Sequence, residues 1–178
     1  MPVTQPISVE KVRPTYAYRA ADIAPAATPT DVLTVSGADG KVVRITKIGI
    51  TGDATAAAIV DLYITKRTTA NTGGTSTNPT PTKYDSADPT PSATVTLYSA
   101  NPSAVGTGVS LEGDMIYLPA AATPAGEPSH WEREYWLGEA KGPVLRGASE
   151  LISINFSGAT LPAGAKFYFY IEWTEEAL

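Results

Sequence analysis

The stretch Asp31–Ile50, DVLTVSGADGKVVRITKIGI, decides how the chain is read. Leu33 and Val35 alternate with Thr34 and Ser36, which is the period-two pattern of a strand with one face in a core. Asp39-Gly40 then interrupts the apolar pattern, and this dipeptide suits the positive φ angles of a tight type I′ hairpin turn. The returning segment, Val42 to Ile50, breaks parity. Val43 and Ile45 share one face and Ile48 and Ile50 fall on the other, unless a one-residue bulge near Thr46-Lys47 turns all four toward the core.

Working outward, Ala58 to Lys66 repeats the strand pattern, with Val60, Leu62 and Ile64 on one face and Asp61, Tyr63 and Thr65 on the other. Thr51-Gly52-Asp53 reads as the turn before it. Further strands are expected at Thr94–Ser99, Met115–Leu118, Trp131–Leu137, Val144-Leu145 and Glu150–Phe156. The clearest is the last: Phe167, Phe169, Ile171 and Trp173 form one face and Tyr168, Tyr170 and Glu172 the other, with Glu175-Glu176 ending it in charge. With 15 Gly and 15 Pro in 178 residues, long helices are excluded. Many short strands joined by turns bury their apolar faces by stacking as two sheets. The expected fold is therefore all-β, an antiparallel β-sandwich of jelly-roll or immunoglobulin-like type.

Residues 1–30 read differently. Pro2, Pro6, Pro14, Pro25 and Pro29 remove backbone donors and favour extended conformations. The expectation is an extended N-terminal arm over 1–30 and a single sandwich domain over 31–178, with Tyr16-Ala17-Tyr18-Arg19 able to add one edge strand. Residues 68–92 form a long polar loop in which Pro79, Pro81, Pro89 and Pro91 oppose a central strand, and Tyr84 is its only large apolar residue. Partner contact is expected at Tyr16, Tyr18 and Arg19 of the arm and at Arg67, Asn71 and Tyr84 of the loop.

Composition excludes several functions. The net charge is −5 and the longest run of cations is Lys66-Arg67, so no basic face exists for nucleic acid. No cysteine is present, which removes disulfides, thiolate metal sites and thiol chemistry. No apolar run reaches membrane-spanning length, and the N-terminus lacks the apolar core of a signal peptide. The one histidine, His130, shares strand parity with Glu132 and Glu134, but a solvent-facing strand produces the same alternation with no ligand bound. Two carboxylates side by side on one strand do not flank a glycosidic bond, and no Gly-x-Ser-x-Gly elbow surrounds any serine. The expectations are no enzyme activity, no cofactor, no metal and no membrane or nucleic-acid partner. A minority reading uses Tyr63, Tyr117, Tyr135, Trp131, Trp136, Tyr168 and Tyr170 as an aromatic platform for sugars.

The segment Lys66-Arg67-Thr68-Thr69-Ala70-Asn71-Thr72-Gly73-Gly74-Thr75, following Asp61-Leu62-Tyr63-Ile64, resembles segments of tailed-bacteriophage virion proteins. So do Pro29-Thr30-Asp31-Val32-Leu33-Thr34-Val35-Ser36-Gly37 and the closing Ile171-Glu172-Trp173-Thr174-Glu175-Glu176. The resemblance is to small structural proteins of the head-decoration or cement type. It implies a non-enzymatic sandwich, made in the bacterial host cytoplasm, that decorates or stabilises the outer capsid surface. It further implies the major capsid protein or other virion proteins as partners, and a homo-oligomer, with a trimer favoured because it fits three-fold sites. The alternative is a tail-associated, receptor- or carbohydrate-binding module.

Overall fold

The computed structural model describes residues 13–121, 130–135 and 141–178. Among them twelve strands form two six-stranded antiparallel sheets packed face to face, a β-sandwich. The strands are β1 (Thr15–Ile23), β2 (Asp31–Ser36), β3 (Lys41–Asp53), β4 (Ala58–Arg67), β5 (Thr75–Thr77), β6 (Thr82–Lys83), β7 (Thr94–Ala100), β8 (Gly108–Leu118), β9 (Trp131–Glu134), β10 (Val144–Arg146), β11 (Leu151–Asn155) and β12 (Lys166–Ala177). The first sheet runs β10-β3-β12-β1-β6, with β9 also pairing β3; the second runs β5-β7-β2-β11-β4-β8.

The centre of the first sheet is β12, flanked by β1 and β3. Phe167, Phe169, Ile171 and Trp173 are all fully buried. At about 1.5–3 kcal/mol for each large apolar side chain removed from water, this strand supplies a large share of the core. Phe156 of the opposite layer packs between Phe167 and Phe169, at ring-centroid distances of 4.7 and 6.5 Å. The parity break in β3 is resolved by a bulge. Glu172 pairs with Lys47 but Trp173 with Ile45, so Thr46 is the extra residue. Val43, Ile45, Ile48 and Ile50 consequently all face the core at 0–1% exposure.

The Asp39-Gly40 turn is present but does not make a hairpin. Gly40 has φ +72° while Asp39 does not take positive φ, as a type I′ turn would need. The strands it joins lie in different sheets: β2 pairs β7 and β11, and β3 pairs β12. The connection is an arch between layers. Gly37 anchors it through a 2.8 Å bond from its N–H to the Glu150 carbonyl. A side chain at Gly37 would collide with the Gly147 carbonyl and Leu145. Thr51-Gly52-Asp53 is likewise strand rather than turn, for β3 continues to Asp53 and Gly52 pairs with Phe167. Glycine stands there because a Cβ would meet the Lys166 carbonyl, the Phe167 ring and Leu118.

Part of the expected arm belongs to the sheet. Thr15–Ile23 pairs with β12 on one side and with β6 on the other, and Tyr16 is fully buried, its ring 6.1 Å from that of Trp173. Tyr16 and Tyr18 point toward the core, which an edge strand laid on afterwards would not require. Removing residues 1–30 would therefore strip a strand from the fold. The part of the expected arm before residue 13 lies outside the described residues, as do Trp136 and Leu137 of the expected strand at 131–137.

The long polar loop is stitched to both layers. Its β5 pairs β7 at one edge of the second sheet, and its β6 pairs β1 at one edge of the first, so the segment closes that side of the sandwich. Glu175 fastens the end of the loop. Its buried carboxylate accepts the N–H groups of Ser92 (3.0 and 2.9 Å) and Ala93 (3.0 Å) and the Trp173 indole N–H (3.1 Å). Charge after the last aromatic of β12 thus marks a buried clamp and not the end of the strand, which runs to Ala177.

Candidate functional site

The six residues expected to contact partners separate into three groups. Tyr16 and Tyr18 are packed inward, and the Tyr16 hydroxyl donates to the Pro89 carbonyl at 2.9 Å. Arg67 and Asn71 join a polar cluster on the outer side of the second sheet. Asp31, fully buried, accepts Arg67 Nε at 2.6 Å and Nη2 at 2.7 Å, Asn71 Nδ2 at 2.8 Å and Asn155 Nδ2 at 2.6 Å. Arg67 Nη1 continues to the Gly106 carbonyl, and Gly106 N–H returns to the Asn71 side-chain oxygen. Burial pushes the Asp31 carboxyl up, but the bonds from Arg67, Asn155 and Asn71 outweigh it and hold the group below its ordinary value. This is a two-pronged ion pair with its remaining lone pairs occupied, and its work is internal.

Arg19 and Tyr84 meet on the outer face of the first sheet, around two residues of β12. The Tyr84 backbone N–H bonds to the Thr15 carbonyl, which extends the β1–β6 pairing and points the side chain outward. To reach β12 the ring must cross β1, where Ala17, opposite Glu172, offers only a methyl group. The Tyr84 hydroxyl lies 2.5 Å from that of Tyr170 and donates to Glu172 Oε2 at 2.8 Å. Tyr170 donates to the same oxygen at 2.8 Å, and Thr46, the bulged residue of β3, donates to Oε1 at 2.7 Å. Arg19, paired with Tyr170 across β1 and β12, places its guanidinium 5.0 Å from the Tyr170 ring centroid. Burial raises the Glu172 carboxyl, yet Thr46, Tyr170 and Tyr84 together lower it below its ordinary value. The Tyr170 phenol moves the other way, raised by burial and by its bonds to Tyr84 and Glu172. A phenol held protonated beside an ionised carboxylate is a positioned donor and not a base.

Beside this cluster, Lys47 Nζ reaches Glu132 and Glu134, each at 2.9 Å. These are the carboxylates that shared parity with His130, whose Nε2 is 3.7 Å from Glu132. Strand alternation thus serves an ion-pair ladder between β3 and β9. Among the described residues no group of three or more His, Cys, Asp or Glu side chains is placed to hold a metal ion.

A second surface lies on the opposite layer. β8 is eleven residues long and, among the described residues, pairs only with β4. Val109, Leu111, Met115 and Tyr117 of β8 and Ile59 of β4 are exposed large apolar residues, Met115 at 66%. Ile59 and Tyr117 are a cross-strand pair, and Met115 lies diagonally beside them, opposite Asp61. The Tyr63 ring covers Gly113 next to this patch, at 3.0 Å from where a Cβ would stand. Toward the other sheet the same strand is tied down by Glu112–Arg133 (2.6 Å) and Asp114–Trp131 (3.0 Å). Sequence reading treated only Met115–Leu118 as strand. Val109 and Leu111 alternate with Gly108, Ser110 and Glu112, but the register shift opposite Ile64/Thr65 pairs Val109 with Lys66 and so turns it to the other face from Met115 and Tyr117.

No protein-family model, no curated protein and no solved structure matches this chain.

Proposed function

We propose that the protein is a non-enzymatic structural protein of a virion that binds the outer capsid surface and decorates or stabilises the head. Two things support this: the resemblance of the Lys66–Thr75, Pro29–Gly37 and Ile171–Glu176 segments to phage decoration proteins, and the surface formed by β8 and Ile59. The second carries the reading. Exposed Met115, Tyr117 and Ile59 adjoin on the outer face of the second sheet, with Leu111 exposed at the β8 bulge, and such an apolar patch marks protein–protein contact in an otherwise polar, acidic molecule. Among the described residues the outer edge of β8 has no strand partner, and its backbone donors and acceptors suit completion by a strand of the shell. Assembly as a homotrimer belongs to the same reading, since three-fold sites of a shell present matching contacts to three copies.

The test is co-sedimentation of the purified protein with shells that lack it. Wild type should pellet with the shells, and Met115→Lys/Tyr117→Lys should stay in the supernatant with unchanged thermal unfolding. Full binding by the double variant removes β8 from the contact; absence of wild-type binding to head particles overturns the function.

A further inference from the structure

The outer face of the first sheet, on the far side of the sandwich from β8, carries a second arrangement that shell binding leaves unused. We propose that Tyr84, Tyr168 and Arg19 form an exposed platform for a neutral saccharide chain, a binding site separate from the shell contact. Tyr84 and Tyr168 are 62% and 44% exposed. Tyr84 is fixed in this state. Its hydroxyl is tied to Tyr170 and Glu172 while its backbone is tied to Thr15, so the ring is held across β1 with one face toward solvent. Fixing it beforehand removes the ordering cost that a mobile tyrosine meets on binding. Tyr168 stands two residues from Tyr170 on the same outward face of β12, with Thr51 of β3 beside it.

The polar groups around these rings match a polyol. Among the described residues no carboxylate pairs with Arg19; its guanidinium rests over the Tyr170 ring and leaves its N–H fork to solvent. Lys166 and Asp22, an exposed pair at 2.8 Å, border Tyr168 from the other side. A pyranose ring stacks its C–H face on a tyrosine and exchanges hydroxyl hydrogen bonds with such groups. Ionised Glu172 beneath Tyr84, together with the net charge of −5, disfavours acidic sugars, which is why the platform fits a neutral chain.

Affinity electrophoresis in native gels tests this, each gel containing one soluble polysaccharide: xyloglucan, galactomannan, mixed-linkage β-glucan or dextran as neutral chains, polygalacturonate or alginate as acidic ones. At least one neutral gel should retard the protein, and Tyr84→Ala or Tyr168→Ala should weaken that retardation about tenfold in apparent affinity. Tyr84→Phe keeps the ring and loses the hydroxyl tether, so it should fall between wild type and Tyr84→Ala. Met115→Lys/Tyr117→Lys should be retarded like wild type, which separates this site from the shell contact. No retardation by any neutral chain, retardation by acidic chains alone, or retardation indifferent to Tyr84→Ala and Tyr168→Ala would each overturn the proposal. Shell co-sedimentation stands or falls independently.

Discussion

Replacing Asp31 by alanine removes an acceptor that Arg67, Asn71 and Asn155 share, and it leaves a buried guanidinium facing no charge. Breaking a buried ion pair from one side costs about 3–5 kcal/mol. Each amide left without its acceptor adds about 1 kcal/mol. Against a total of roughly 5–15 kcal/mol for a domain, Asp31→Ala should consume a third of the stability or more. Arg67→Met should cost less. The Asp31 carboxylate keeps both asparagine amides, and it can relieve its remaining charge by taking a proton. The double variant Asp31→Ala/Arg67→Met should cost less than the sum of the two singles, because one ion pair is lost only once. Urea unfolding followed by tryptophan fluorescence reads these values, provided the slope with denaturant is unchanged. The same carboxyl fixes a pH dependence. Its folded value lies below the unfolded one of about 3.9, so its contribution is complete above that pH and disappears as pH falls through the folded value. Wild type should lose stability below about pH 4 more steeply than Asp31→Asn. A cost under about 1 kcal/mol for Asp31→Ala, or a larger cost for Arg67→Met, would refute the view that this cluster holds the outer layer onto the second sheet.

Three further outcomes follow from the packing. Glu175→Ala should cost about 2–3 kcal/mol by orphaning Ser92 N–H, Ala93 N–H and the Trp173 indole, and Glu175→Gln should recover part of it; thermal unfolding measures both. Gly52→Ala should destabilise by about 1–3 kcal/mol, since the added methyl meets a carbonyl, a phenyl ring and Leu118; wild-type stability in urea unfolding would contradict the continuous β3. Phe169→Ala should cost about 3–5 kcal/mol, as expected for a large side chain removed from a closed core, read as a shift of the urea midpoint.

The two-layer fold was legible because burial imposes a strict period of two. Val60, Leu62 and Ile64, the faces of β12, and even the bulge at Thr46 follow from that rule alone. What the rule does not encode is the partner of each strand. Asp39-Gly40 turns the chain equally well within one sheet or between two, and only the contacts of Gly37 with Gly147 and Leu145 decide for the arch. Proline density misled in the same way at the N-terminus. Pro14 lies just before β1, and no proline falls within Thr15–Ile23, so the proline-rich segment still supplies a sheet strand.

The surface sites were only half visible for a related reason. Tyr84 stood out as a lone aromatic in a polar loop and Arg19 as a cation in a tyrosine-bearing segment, but nothing local joins them. Their meeting depends on β6 pairing β1, on β1 pairing β12, and on a small residue at Ala17 that lets a ring pass. Arg67 and Asn71 looked equally available, yet their shared acceptor Asp31 lies 36 and 40 residues from them, respectively, and turns a surface-like motif inward. In a sandwich a side chain's parity says which face it takes, while only the order of strands says whether that face meets solvent. Among the described residues the outer face of the second sheet is covered by its own loops around Asp31 and exposed along β8, and the outer face of the first is exposed at Tyr84 and Tyr168. The two proposed contacts lie on opposite layers, so a shell on β8 and a saccharide at Tyr84 and Tyr168 would not obstruct each other.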